Sequence, residues 1–154
     1  MPSVAPPPYP PFRPRQDSEV RIQSALAAVR CILAADAILP AHKTELLSIC
    51  LWKITEAEGL GKYETRFVSI GSLNRPEGEL AHEHVHERAK LVRGLLDGSL
   101  SIEALREHAI ACTVSRDEHR LLGSLPDQFD GWERYRAAGV AVIDRIAGSW
   151  WIPP

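Results

Sequence analysis

The chain has 154 residues, 45% hydrophobic and 25% charged, which suits one domain that buries a core without disulfides or structural metal. A formal net charge of −2 argues against a globally basic nucleic-acid or membrane binder, although a local basic face remains compatible with it. No apolar run approaches the roughly 20 residues a membrane-crossing helix needs. Cys31, Cys50 and Cys112 form no CxxC pair, which speaks against a zinc ribbon or a disulfide framework and for reduced thiols in a cytoplasmic protein.

The N-terminal "MPSVAPPPYPPFRPRQ" is proline-rich and lacks the apolar core of a signal peptide, so residues 1–16 are expected to form an extended, disordered arm. Residues 17–154 are expected to make a single globular domain. From Asp17 the spacing of Ile22, Ala25, Leu26, Val29, Ile32 and Leu33 predicts a helix. After a break at Asp36–Pro40, Leu46, Leu47, Cys50, Leu51 and Ile54 predict a second helix over about 41–58. These two form an antiparallel hairpin. The stretch "KYETRFVSIGSLNRPEGE" is rich in β-formers and turn residues and reads as a short strand or an ordered loop.

Further on, "ERAKLVRGLLDG" and "SIEALREHAIAC" predict two helices, the first closed by Gly98 and the second started by Ser101. In "ACTVSRDEHRLL", Ser115 and Glu118 have capping-box spacing, so a helix starts near Arg116 after a short strand. "WERYRAA" predicts a further helical turn or two, and "VAVID" a late strand. The sum is a mainly helical α+β fold, an N-terminal helical hairpin followed by a small strand/helix region.

Three of the six histidines fall in "LAHEHVHERAKL", residues 80–91. As a helix this segment gives His82-Glu83-x-x-His86, the zinc-peptidase pattern, with two imidazoles on one face and a glutamate to activate water. As an extended segment it gives a Glu83–His84 pair entering a helix, a common beginning of a metal-dependent nuclease site. A solvated charged helix without chemistry is the third reading, and a helical binding or regulatory module follows from it.

The extended reading uses more of the chain. "HEHVHERAKLV" together with "ACTVSRDEHRLL" resembles the HNH, or ββα-metal, nuclease domain, and the resemblance spans residues 80–122. It implies a metal-dependent nuclease acting on DNA phosphodiesters, in a defence or mobile-element setting. By it, His84 is the general base, while Glu83 and His119 hold a divalent ion, Mg²⁺ or Mn²⁺ with Zn²⁺ as the alternative, and His82 is a further candidate ligand. The family's middle asparagine or histidine has no match here, and the segment between the two motifs reads as helix rather than hairpin. An inactive copy of the domain is therefore an open alternative.

Arg88 and Lys90 follow the histidines, and Arg116 and Arg120 flank His119, so the four are candidate phosphate contacts should the motifs meet. Arg93, Arg134 and Arg136 could extend that face. Trp132 and Tyr135, three apart, share a helix face directed at the core. Trp150 and Trp151 cannot both point inward from one strand. One is expected at the surface, as a contact for a second copy or a protein partner.

Overall fold

The computed structural model describes residues 4–154. It is an α+β fold. The elements in chain order are α1 (Ser18–Ala34), α2 (Pro40–Thr55), β1 (Phe67–Ser69), β2 (Leu80–His84), α3 (Arg88–Asp97), α4 (Ile102–His108), β3 (Ala111–Ser115), α5 (Arg116–Gly123), α6 (Trp132–Ala138), β4 (Val142–Asp144) and β5 (Ser149–Ile152). The sheet order is β2-β3-β1-β4-β5, with β1 and β3 parallel and the other pairs antiparallel. No helix of the described residues is long and apolar enough to cross a membrane.

Two cores divide the molecule. In the first, Leu47 and Leu51 of α2 meet Val29 of α1 and Leu105 of α4, with α3 contributing Leu91, Val92 and Leu95. Each fully buried leucine stabilises this helical layer by about 1.5–3 kcal/mol. In the second, one face of the sheet (Phe67, Cys112, Val114, Val142, Ile152) packs against Leu122 of α5 and Tyr135 of α6. The predicted hairpin is thus one half of a helical layer, while α5 and α6 serve the sheet.

The start signals at Ser101 and Ser115 operate as read. The Ser115 hydroxyl accepts from the Glu118 amide, and the Glu118 carboxylate accepts from the Ser115 amide, which sets the first turn of α5. Glu118 also accepts from the Ser69 hydroxyl and the Gly71 amide, tying α5 to the end of β1. A Cβ on Gly71 would meet the Glu118 carboxylate, so any larger residue there would have to displace that side chain.

Over its described part, residues 4–16, the arm makes contacts with the domain. The Val4 carbonyl accepts from Trp150 Nε1 at 2.6 Å, the Pro10 carbonyl accepts from Arg145, and Arg13 grips Glu64 through two side-chain nitrogens. Pro14 bridges Gly59, and the Arg15 amide donates to the Glu58 carbonyl. A proline-rich arm already extended in the unfolded chain loses little entropy on docking, so a few such bonds hold it. Residues 1–3 lie outside the described residues. In the histidine cluster residues 80–84 are strand, the extended arrangement, so His82 and His86 do not form the one-turn helical pair that the zinc-peptidase pattern requires.

Candidate functional site

β2 is an edge strand, and its alternation sorts the cluster onto two faces. Glu83 is in register with Cys112 and turns toward α5 and α6, whereas His82 and His84 are in register with Thr113 and Ala111 and turn toward the end of α2. All three line a cleft of about 640 Å³ that runs along the sheet edge. Trp52 of α2 and His119 of α5 border the same cleft, as do Lys62, Arg88, Arg116 and Arg120.

Glu83 is the pivot of one side. One carboxylate oxygen accepts from His119 Nδ1, and the other accepts from the Arg134 guanidinium at 2.8 Å. The same guanidinium nitrogen donates to the His84 carbonyl at 2.7 Å and the Val85 carbonyl at 3.1 Å. Arg134 and Glu83 are almost fully buried, while more than half of the His119 side chain is exposed. The capping box directs His119 from the first turn of α5 toward β2. Leu122, on the same helix, shares the second core with Val85.

The other side is a compact set of neutral donors and acceptors. Thr55, the last residue of α2, places its hydroxyl 3.0 Å from His84 Nε2 and 3.1 Å from His82 Nε2. His82 Nδ1 donates to the Lys62 carbonyl at 2.7 Å. The Trp52 ring lies 4.7 Å from His82 and 5.3 Å from His84, centroid to centroid. Burial pulls His82 below the ordinary histidine range, outweighing the opposing Lys62 carbonyl. Burial also pushes His84 down to about 3, with the neighbouring His82 ring and the positive charges of Arg88 and Arg134 adding to the effect. His84 is therefore an uncharged ring throughout the physiological range.

The structure thus brings Glu83, His84 and His119 together around one cleft, and places Arg88, Arg116 and Arg120 on its walls. His82 shares the cleft and, like His84, lies on the sheet face opposite Glu83, but both its ring nitrogens are engaged. Lys90 does not line the cleft. It donates to the Asp127 and Phe129 carbonyls and pairs with Glu87. His86 is bound to Asp130 at 2.8 Å and faces His108. Trp151 is 43% exposed and packs beside Phe67 and Trp132, whereas Trp150 bonds to the arm.

Sequence reasoning missed Thr55, Trp52 and the buried role of Arg134. Thr55 had a visible signal, because it continues the Leu47, Leu51 series at four-residue spacing, and a hydroxyl on a buried stripe needs a partner. Arg134 sits beside the inward-facing Tyr135, yet its charge reads naturally as surface.

Among the described residues no three His, Cys, Asp or Glu side chains are gathered as a ready metal cage. A hard divalent cation does not require one, since Mg²⁺ commonly takes one or two protein donors and fills its shell with water and phosphate oxygens. The Glu83 carboxylate fits that oxygen donor set, whereas the His119 imidazole beside it suits a softer ion such as Zn²⁺ and would ligate through Nε2, since Nδ1 donates to Glu83. Comparison with family models, curated proteins and solved structures finds no match.

Proposed function

We propose that the chain is an HNH-like, metal-dependent nuclease that hydrolyses DNA phosphodiesters in the cleft beside β2. The observation that supports this reading is the meeting of Glu83 and His119, 36 positions apart, across an antiparallel strand pair and the helix that follows it, with the His84 ring lining the same cleft from the other face of β2. Glu83 and His119 would hold the ion, which when bound neutralises phosphate charge and stabilises the leaving oxygen.

The chain's own residues supply the rest. Arg88, Arg116 and Arg120 attract and orient the phosphate, giving the cleft a basic wall despite the net negative chain. His84 takes a proton from water, whose oxygen forms a bond to phosphorus as the ester P–O bond breaks and the leaving oxygen collects a proton from solvent. A bound phosphate beside His84 raises its basicity, opposing the depression that burial imposes. Arg134 keeps the Glu83 carboxylate fixed and its charge balanced before substrate arrives.

A second reading, a non-catalytic nucleic-acid-binding module, draws on that same Arg134 contact, because a guanidinium already on Glu83 competes with a cation. DNA-binding anisotropy and cleavage, measured together on wild type, His84→Ala and His119→Ala, separate the two. The nuclease reading expects cleavage in Mg²⁺ or Mn²⁺ to fall at least a hundredfold in both variants, while binding changes less than about threefold. Binding with no cleavage in either ion, in wild type itself, would establish the module instead.

A further inference from the structure

The hydrogens around Thr55 can be counted. Its hydroxyl carries one hydrogen, and three groups compete for it: the Trp52 carbonyl at 3.2 Å, His82 Nε2 at 3.1 Å and His84 Nε2 at 3.0 Å. His82 Nδ1 faces the Lys62 carbonyl at 2.7 Å, and a carbonyl only accepts, so Nδ1 carries the His82 hydrogen. The Nε2 of a neutral His82 is then a bare lone pair. Only the Thr55 hydrogen can satisfy it, since any other assignment sets that lone pair against a lone pair of the hydroxyl oxygen. With its hydrogen spent on His82, Thr55 can only accept from His84. The relay runs from His84 Nε2–H to the Thr55 oxygen, from the Thr55 hydrogen to His82 Nε2, and from His82 Nδ1–H to the Lys62 carbonyl.

We infer that Thr55 is a positioning residue that locks His84 as its Nε2–H tautomer, leaving Nδ1 as the unprotonated, proton-accepting nitrogen of a ring that lines the cleft. Burial of both imidazoles supports this, because desolvation favours the neutral forms that the count requires. Among the described residues His84 Nδ1 has no hydrogen bond, so nothing else specifies the tautomer. The histidine's second nitrogen commonly decides which nitrogen does chemistry. The catalytic consequence rests on the proposed nuclease reading, whereas the tautomer itself does not. Thr55 belongs to the N-terminal hairpin, outside residues 80–122, so the hairpin takes part in the site as well as carrying the fold.

The test is long-range ¹H–¹⁵N spectroscopy of histidine-labelled full-length protein, which distinguishes a pyrrole-like from a pyridine-like ring nitrogen. Wild type is expected to show His84 with protonated Nε2 and bare Nδ1. Thr55→Val, which keeps the shape and removes the hydroxyl, is expected to populate both His84 tautomers, and Thr55→Ser to restore the single one. If cleavage is observed, Thr55→Val should lower kcat about tenfold or more with little change in KM, and Thr55→Ser should recover it. A wild-type His84 protonated at Nδ1 would overturn the inference. So would a Thr55→Val spectrum identical to wild type. A protein with no cleavage but the expected spectra would remove the nuclease reading and leave the relay standing.

Discussion

Replacing Arg134 with methionine removes the guanidinium but keeps most of the buried stem. One of its nitrogens serves Glu83 and the His84 and Val85 carbonyls, so the change strips the end of β2 of its link to α6. Arg134 and Glu83 are 3% and 9% exposed, which means solvent screening offers little relief. Breaking a buried pair from one side costs about 3–5 kcal/mol. That is a large share of the roughly 5–15 kcal/mol available to a domain. Glu83→Gln in the same background removes the stranded charge, so the double variant should recover about 2 kcal/mol relative to additivity. Arg134→Lys keeps a charge without the planar fork and should fall between. Equilibrium urea unfolding, followed by tryptophan fluorescence and far-ultraviolet dichroism, reads wild type, Arg134→Met, Glu83→Gln, the double variant and Arg134→Lys. A cost below about 1 kcal/mol for Arg134→Met, or an additive double variant, would refute the view that this pair braces the site.

Gly131→Ala should destabilise by about 1–3 kcal/mol in urea, because φ is +58° there and the new Cβ would sit 2.6 Å from the His86 ring; a neutral substitution would contradict the packing. Deleting residues 1–12 should lower the denaturation midpoint, since it strips the Pro10 carbonyl from Arg145 and the Trp150 anchor from the arm; an unchanged midpoint would mean the arm is not held. Burial alone would raise the Asp144 carboxyl, but the Arg66 hydrogen bond and the Ala147 and Ile146 amides more than offset it and hold it below its ordinary value. A depressed folded-state value contributes stability that is complete above the unfolded value of about 3.9 and is lost as pH falls through the folded one. Asp144→Asn should therefore be less stable than wild type near neutrality, with the gap closing below about pH 4 in a Tm series. A gap independent of pH would discount the charge.

The local signals were legible because each has a local cause. The capping box, the Gly98 stop and the hairpin's apolar stripes depend on residues within one or two turns of each other, and the structure reproduces them. The pairing of Glu83 with His119 was anticipated through the resemblance of two separated motifs, not through spacing. What remained hidden depends on distant partners. An arginine reads as surface until a buried carboxylate 51 positions away is seen, and Thr55 reads as a helix end until two imidazoles 27 and 29 positions on close over it. The arm's contacts were hidden for a similar reason, since proline-rich composition describes the free chain and says nothing of a docking groove.

The measurement that bears most directly on the central claim is nicking of supercoiled plasmid by the purified full chain, with Mg²⁺ or Mn²⁺ and with chelator, beside Glu83→Gln at equal concentration. A nuclease centred on Glu83 and His119 nicks the plasmid in either ion, stops with chelator and loses at least a hundredfold in rate in the variant. Plasmid left supercoiled by the folded wild-type protein in both ions, or nicked equally by Glu83→Gln, would contradict it.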